Sequence, residues 1–424
     1  MKNEEIKIVV AHPGKQHSFR LATALHKAGM LQTYITTVYD SPACKSIHLI
    51  KKFLNKENQA RAEGRKSYDL PDEKIACFCS LRGLFLLAIL RLDKSRKVYN
   101  FLNRKLADSF GRKVARYAIR HKADAVICYD SNAVKCFEIL KKKAPHIHRI
   151  LDNAAANRYG LYEIYQAMDK QYGILENRAF FKDFLLHEDK ALYYKNEALL
   201  STHHIAASTF AANTITAIGI NQSRVFTVPY GVDVSKITSK TNYAEDGALK
   251  VLFVGEISPQ KGIFMLIEAA KALGDTAEFH LVGGGIEKLD ADSRKFIKHH
   301  MTYHGYILQQ QLFDLLAQCD VFVFPSLGDG FGFVVLEAMA AGLPVIASRN
   351  CCAQDLLIDG ENGFLIDAGN TEQLVKKIRW LYENMDKLQG MSENAVKSAK
   401  DLTWENYERN LTTQLKEKIW GFTQ

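Results

Sequence analysis

The chain has 424 residues, of which 47% are hydrophobic and 24% charged, an ordinary globular composition that excludes a disordered chain. A length beyond ~250–300 residues predicts two domains rather than one core. Fifty-six Lys and Arg against 47 Asp and Glu give a net charge of +9. That charge fits a solvated basic surface, or an anionic partner such as nucleotide phosphates or anionic lipid. No nucleic-acid-binding module accompanies it, so nucleic acid is not an expected partner.

The opening MKNEEIKIVVAHPG carries Glu4 and Glu5 and only a short apolar run. It reads as a first strand at residues 6–11, not as a secretory signal. A turn containing Gly14 follows at 12–17, then a helix to Ala28 and a second strand at 31–38. In SIHLIKKFLNK, residues 46–56, Ile47, Ile50, Phe53 and Leu54 fall near one helical face among lysines. Such a basic amphipathic helix suits an anionic lipid surface, or packs on its own domain. Residues 75–92 are apolar but interrupted by Arg82 and Arg91, so they fall short of the ~20 residues of a spanning helix. They read as a buried helix, with a membrane-surface element as the alternative. The basic stretch 94–120 reads as one or two helices.

Residues 124–129 (DAVICY) and 148–151 (HRIL) read as buried strands flanking a helix at 133–143. Strands as apolar runs, alternating with helices, predict a parallel sheet. A short strand at 204–208, a helix to Ile218 and a strand at 225–232 stopped by Pro229 and Gly231 close this half. The polar stretch TSKTNYAEDG, residues 238–247, is the linker candidate. Beyond it the rhythm is clearer. Strands are expected at 250–254, 278–282, 321–324, 344–347 and 363–366, and helices at 262–273, 309–318, 335–341 and 371–384. A final helix at 401–419 has Thr403 as its cap with Glu405 close behind. The expected domains are 1–237 and 238–400, with 401–424 crossing back onto the first. Two doubly wound domains would hold a ligand at their strand C-termini, in the cleft between them.

Among the eight cysteines, Cys77 and Cys79 form C-x-C, and Cys351 and Cys352 are adjacent. Neither has the spacing of a zinc site. Reduced thiols of the cytosol are expected.

Four loops carry candidate chemistry. In HPGKQHS, residues 12–18, Gly14 lets backbone approach a ligand at a helix start. An ordinary βα turn reads equally well, and the dinucleotide pattern G-x-G-x-x-G is absent. In FVGEISPQKG, residues 253–262, the strand ends at Gly255, and Lys261 sits at a helix start, where a cation opposes the helix dipole. An anionic ligand, a diphosphate above all, resolves that conflict. In LVGGGIEK, residues 281–288, the three glycines fit a planar base or phosphate, or a merely permissive loop. In PSLGDGFGFVVLEAMAAGLPVIAS, residues 325–348, Asp329 and Glu337 stand in an apolar, glycine-rich setting. A carboxylate there can accept two ribose hydroxyls, and the Gly330 and Gly332 amides suit a diphosphate.

This last segment resembles the signature of glycosyltransferase family 4, E-G-F-G-x-x-x-x-E-A-M-A-x-G-x-P-V-I-A, closely over residues 330–347. FVGEISPQKG resembles the family's phosphate-binding turn. Residues 201–233 are similar to the closing segment of its first domain, and residues 304–326 to its base-binding stretch. The resemblance implies the GT-B fold: an α/β architecture of two facing Rossmann-like domains with parallel sheets and an interdomain cleft. It also implies a retaining, nucleotide-sugar-dependent transferase with no required metal or cofactor. By position, Glu337 would bind ribose hydroxyls and Lys261 the diphosphate. Asp329, Gly330, Phe331, Gly332 and Phe333 would line the sugar and phosphates. Gly14, Gly255 and Glu256 would lie at the donor, and Tyr306 and Ile307 would flank the base.

Three departures stand out. Asp329 replaces the family's usual Glu, Glu256 replaces an Arg that pairs with the lysine, and the first-domain His is missing from CYDSNA, residues 128–133. His17 or Asp152 is the expected substitute on the acceptor side. The implied partners are a nucleotide diphosphate sugar and a glycan or lipid-linked hydroxyl acceptor, with an anionic membrane surface as a further candidate. Cytoplasmic or inner-face peripheral placement follows. A silent donor-binding subunit and a sugar-nucleotide epimerase are the rival readings.

Overall fold

The computed structural model describes residues 6–14, 17–42, 44, 59, 63–93, 97–172, 188–234, 237, 240, 243 and 246–422. The amphipathic stretch 46–56, Glu4, Glu5, Lys15, Gln16 and much of the 238–247 linker candidate lie outside the described residues.

Seven strands build the first sheet: β1 Ile8–Ala11, β2 Leu31–Thr36, β3 Ile75–Cys77, β4 Ala125–Tyr129, β5 His148–Asn153, β6 His203–Ala206 and β7 Val225–Thr227. Their order is β3-β2-β1-β4-β5-β6-β7, and every pairing is parallel. Six strands build the second: β8 Leu249–Val254, β9 Ala277–Val282, β10 Thr302–Gly305, β11 Val321–Phe324, β12 Val345–Ser348 and β13 Gly363–Ile366. Their order is β10-β9-β8-β11-β12-β13, again all parallel. The central strands β1, β4, β11 and β12 are buried along their whole length, as strands covered by helices on both faces must be.

The helices of the first half are α1 Ser18–Lys27, α2 Ser80–Leu92, α3 Lys97–Arg120, α4 Val134–Lys143, α5 Arg158–Tyr172, α6 Glu188–Leu200 and α7 Thr209–Thr216. Those of the second are α8 Ile263–Leu273, α9 Ala291–His300, α10 Gln309–Gln318, α11 Phe333–Ala340, α12 Ala353–Leu356, α13 Thr371–Glu383, α14 Leu388–Lys400 and α15 Trp404–Trp420. Among the described residues no helix is long and apolar enough to cross a membrane.

The apolar run 75–92 is not one helix. Its first three residues pair with β2 through Tyr34↔Ile75 and Thr36↔Cys77. The Phe78 N–H then bonds Thr36 O at 2.8 Å, and Cys79 turns into the left-handed region at φ 58° before α2 starts. Strand pairing, a long-range interaction, overrides the local helical pattern. The strand β10 was also absent from the sequence pattern, because its four residues are half-exposed and short. The helix expected at 335–341 begins two residues earlier, at Phe333, with Gly332 at φ 86° as its cap.

The last helix returns to the first sheet. Lys27 Nζ lies 2.7 Å from Glu408, and the Arg20 guanidinium sits 5.0 Å from the Trp404 ring. Gly231 makes the entry to this crossing, since a Cβ there would lie 2.3 Å from Thr403 C. The Val232 N–H donates to Leu402 O at 2.9 Å beside it.

Glu197, fully buried on α6, fixes the loop after β4. Its carboxyl accepts the Ser131 and Ala133 N–H groups, each at 2.7 Å, while Ser131 holds φ 72°. These donors belong to the loop that enters α4, whose N-cap Ala133 offers no side-chain cap of its own. Burial pushes the carboxyl up to about 8 from 4.5. The native state therefore holds the proton more tightly than the unfolded chain, and the Glu197 contribution to stability falls as pH rises from ~4.5 through ~8. Glu197→Gln is expected to flatten this slope in denaturant titrations at pH 5 and pH 8.5. Glu197→Ala is expected to lose about 2–4 kcal/mol at neutral pH. An unchanged slope in the Gln variant would show that another group sets it.

Candidate active site

Strand order reverses between β1 and β4 in one sheet and between β8 and β11 in the other. Crevices open at such switch points, at the carboxyl ends of the strands. The loops after these four strands are residues 12–17, 130–133, 255–262 and 325–332. They hold most of the candidate residues.

In the second sheet, two loops are stitched together. The Leu327 N–H donates to Gln260 O at 2.8 Å, and Gln260 Nε2 donates to Gly328 O at 3.1 Å. A Cβ on Gly262 would meet Pro325 O at 2.2 Å, and Gly262 also holds φ 82°. Lys261 thus stands on a 3-10 turn just before α8, where its ammonium pairs with the Asp329 carboxylate. The other Asp329 oxygen accepts the Phe331 N–H at 3.2 Å. Asp329 shares the lysine's charge in the free protein, and a more highly charged ligand would compete for it.

Glu256 does not stand alone either. Lys288, on the 3-10 turn after β9, lies 2.5 Å from it. The negative charge that Glu256 brings beside the 255–262 turn is met by a cation the sequence pattern did not pair with it. Gly255 leaves β8 at φ 158°. A Cβ on Gly283 would lie 1.8 Å from Gly255 O, so the first glycine of LVGGG is required by loop packing. The Gly283 N–H donates to Gly305 O at 2.8 Å. This sets Tyr306 and Ile307 beside the glycine loop, with Tyr306 86% exposed and Ile307 packed against the core.

Glu337 sits in the second turn of α11. Its carboxyl is half-buried and, among the described residues, has no hydrogen-bond or ion-pair partner. Burial raises its pKa. A carboxylate partly stripped of water and without a donor is a strong acceptor for ligand hydroxyls.

On the first sheet, His12 ends β1 and is buried. The Gly14 N–H donates to its Nδ1 at 2.9 Å, so the ring proton belongs on Nε2. Burial drives the His12 pKa down to about 4, which keeps the ring neutral. The Gly14 amide is thereby engaged within the loop rather than free for phosphate. His17 Nε2 lies 2.7 Å from Tyr230 Oη and 3.7 Å from Asp152 Oδ2. Asp152 is 2% exposed, and its Oδ2 accepts no hydrogen bond among the described residues. Burial and Asp152 push the neighbouring Asp130 up to about 6. His17 and Asp152 are therefore brought together, as a pair, with Asp130 beside them.

The two halves meet at this place. A Cβ on Gly330 would lie 2.5 Å from Ala155 Cα, and Ser208 Oγ donates to Gly330 O at 2.7 Å. Tyr230 stacks on Phe333 with ring centroids 5.1 Å apart and planes 9° from parallel, and meets Phe331 edge-on at 5.2 Å. Gly330 and Phe331 are thus domain-contact residues first. Sequence reasoning missed Tyr230, Asp130, His12 and Glu197. His12 lay in the HPGKQHS turn, Asp130 in CYDSNA and Tyr230 at the Pro229–Gly231 strand stop, but none of them was read as a site residue. All eight cysteines are free thiols, and among the described residues no three His, Cys, Asp or Glu side chains gather as a metal site.

Comparison with known proteins fits this geometry. A family model described as glycosyl transferases group 1 matches residues 235–398. The second domain of the protein belongs to that family. An uncharacterized glycosyltransferase of Methanocaldococcus jannaschii is 36% identical over 158 residues, 36% of this chain and 44% of that one. The capsular polysaccharide biosynthesis glycosyltransferase CapM of Staphylococcus aureus is 27% identical over 57% of this chain and 69% of its own. The chain spans about half the length of the curated relatives it matches. The crystal structure of Anabaena HepE in complex with UDP-glucose superposes with a TM-score of 0.58 at 16% identity, covering 97% of this chain and 99% of that one. The fold of the chain is GT-B: two parallel-sheet Rossmann-like domains.

Gly330→Ala tests the domain contact. Its methyl would force Ala155 away, so the domains should part. A larger radius of gyration in solution scattering is expected. Unchanged scattering would show that the contact does not hold the two halves together.

Proposed function

We propose that the protein transfers a sugar from a nucleoside diphosphate sugar to a hydroxyl acceptor, with retention at the anomeric carbon. The partnerless, half-buried Glu337 carboxylate carries this reading, because it suits the paired hydroxyls of a ribose. Lys261 would hold the diphosphate next to it, drawn from Asp329 by the larger charge. Lys288, steered by Glu256, supplies the second cation in place of the family's usual arginine. Tyr306 and Ile307 would flank the base at the edge of the glycine loop. UDP-sugars are the first donors to test, since the HepE structure holds UDP-glucose. A glycan or lipid-linked acceptor in cell-surface polysaccharide synthesis matches the role of CapM in capsular polysaccharide biosynthesis.

In the reaction, the bond from the anomeric carbon to the diphosphate oxygen breaks and one to the acceptor oxygen forms on the same face. The acceptor proton passes to the leaving diphosphate oxygen, so no strong general base is needed. Lys261 and Lys288 stabilise charge growing on the leaving group. Asp329, freed from Lys261, would orient the sugar ring near Gly330 and Phe331, while Gly332 and Phe333 bring in the α11 terminus. His17 and Asp152 would bind the acceptor hydroxyl from the other domain. Domain approach at Gly330 excludes water from the leaving group.

A panel of UDP-, GDP-, ADP- and CMP-sugars, followed by released nucleotide, should show turnover of one donor. For that donor, Lys261→Ala is expected to lower kcat/KM about 1000-fold. Glu337→Ala should lower it about 100-fold, mostly through KM, and Lys288→Ala about tenfold. Full turnover in both Lys261→Ala and Glu337→Ala would overturn the assignment. Donor binding without turnover would indicate a silent subunit.

A further inference from the structure

One segment carries the net charge of the whole chain. Residues 80–120 contain eleven Lys and Arg and two Asp, a net +9, against +9 for all 424 residues. The other 383 residues hold 45 cations and 45 anions. The segment comprises α2, α3 and their connection.

Helix α2 is apolar on both sides. Its inner side, with Gly83, Leu86, Leu87 and Leu90, faces the domain. Leu81, Phe85, Ala88 and Leu92 recur at i, i+4, i+7 and i+11 and point outward. Leu81 is 72%, Phe85 59% and Leu92 78% exposed. A helix apolar all round belongs in a core or in lipid, and this one has a core on one side only. Val98 and Phe101 at the start of α3 are also exposed, with the Lys105 ammonium 4.4 Å from the Phe101 ring. Beside the stripe runs a groove of about 490 Å³ lined by Ser80, Arg82, Arg112, Lys113 and Arg116. Arg82 donates to Ser109 Oγ at 2.8 Å, and among the described residues none of these four cations has a carboxylate partner. The first turn of α2 contains no acid.

We propose that the α2–α3 face docks on the surface of an anionic lipid bilayer, with the Leu81, Phe85 and Leu92 stripe in the headgroup–acyl boundary and the flanking cations on lipid phosphates. A soluble phosphate would use the cations and leave the leucines in water. Nucleic acid would do the same, since its backbone offers nothing to an aliphatic stripe. A bilayer engages both at once: apolar insertion and attraction of about fivefold in partitioning for each Lys or Arg near the surface. The inner side of the same helix lines a cavity of about 330 Å³ that reaches Asn103 on α3 and His12, Gly14 and Ser131 at the cleft. Helix α2 is then the wall between lipid and the acceptor side, and the hydroxyl acceptor is borne on a lipid. That last step rests on the transferase reading; the bilayer contact stands apart from it.

Flotation of the whole protein with vesicles separates the two. Vesicles of phosphatidylglycerol with phosphatidylcholine should carry the protein up, and phosphatidylcholine alone should not. The surface variant Phe85→Ser with Leu92→Ser, which keeps every charge, should lose at least tenfold in partitioning. Arg112→Glu with Lys113→Glu and Arg116→Glu should lose at least 100-fold. The emission of Phe85→Trp should shift to the blue on anionic vesicles, a readout that needs no loss of function. A protein that stays in solution with anionic vesicles overturns the proposal. So does flotation unaffected by the Phe85 and Leu92 changes, displacement by inorganic phosphate at matched ionic strength, or preferential retention on duplex DNA. Donor hydrolysis in detergent-free buffer, measured on the same variants, should stay at the parent rate. Its absence in every sample, parent included, would count against the transferase reading and leave the vesicle result intact.

Discussion

The architecture turns on one close approach of backbones. Gly330 of the second domain lies against Ala155 and Ala156 of the first so tightly that a single methyl has no room. Everything at the cleft is placed by this contact. Ser208 caps α7 and also donates to the Gly330 carbonyl, so one hydroxyl serves a helix end and the domain junction. Tyr230 closes the same place from another direction, with His17, Phe331, Phe333 and Tyr407 around its ring. A buried phenol needs a partner for its hydroxyl, and His17 provides it. The residue that faces the acceptor side is therefore held by the residue that packs on the donor motif.

The electrostatics of the donor side follow a consistent rule. Among the described residues, Lys261, Asp329, Lys288 and Glu256 are paired, and Glu337 is not. Lys261 is held by Asp329, and Lys288 by Glu256. Both pairs are partly exposed, so each is worth little to stability and is readily exchanged for a stronger partner. An anionic ligand would gain two lysines without first breaking a buried network. Glu337, by contrast, is half-dehydrated and waits on a donor. Positive charge on loan and an acceptor without a donor together describe a site complementary to phosphate beside a diol. Glu256, standing where the family resemblance implies an arginine, is paired with a lysine of its own, Lys288.

Much of this was legible in the sequence, and the limits were physical. The strands at 321–324 and 363–366 and the helix at 309–318 were expected at their observed bounds, because buried apolar runs with clear stop signals need no tertiary help. Lys261, Asp329 and Glu337 stood out as charges in apolar, glycine-rich surroundings. Their mutual arrangement did not, since ion pairing of Lys261 with Asp329 depends on two loops 68 residues apart. The same holds for Glu256 with Lys288. The sequence offered ligand amides at Gly330, and a ligand or a permissive loop at 283–285; the neighbouring backbone that also demands glycine at Gly330 and Gly283 is a tertiary contact no local pattern shows. Residues 75–77 were lost to a helix, because pairing with β2 is invisible to local periodicity. Asp130 was passed over within CYDSNA, and Glu197 had no signal at all. A buried carboxyl is distinguished from a surface one only by its surroundings.

The distribution of charge gives these observations a common logic. Outside residues 80–120 the chain is neutral, so the donor side gains no long-range attraction from the bulk of the protein. On the proposed reading, attraction for a diphosphate there would come from the short-range cations Lys261 and Lys288. Long-range attraction is instead concentrated on α2 and α3, against the first sheet. Screening confines such a field to about 10 Å at ordinary ionic strength. The basic face therefore acts on what touches it and does not steer a nucleotide to the cleft. On the proposed reading, a surface of that kind, coupled to an apolar stripe and backed by the cavity that reaches His12 and Gly14, would orient the molecule toward a lipid-borne acceptor and leave donor choice to the other domain.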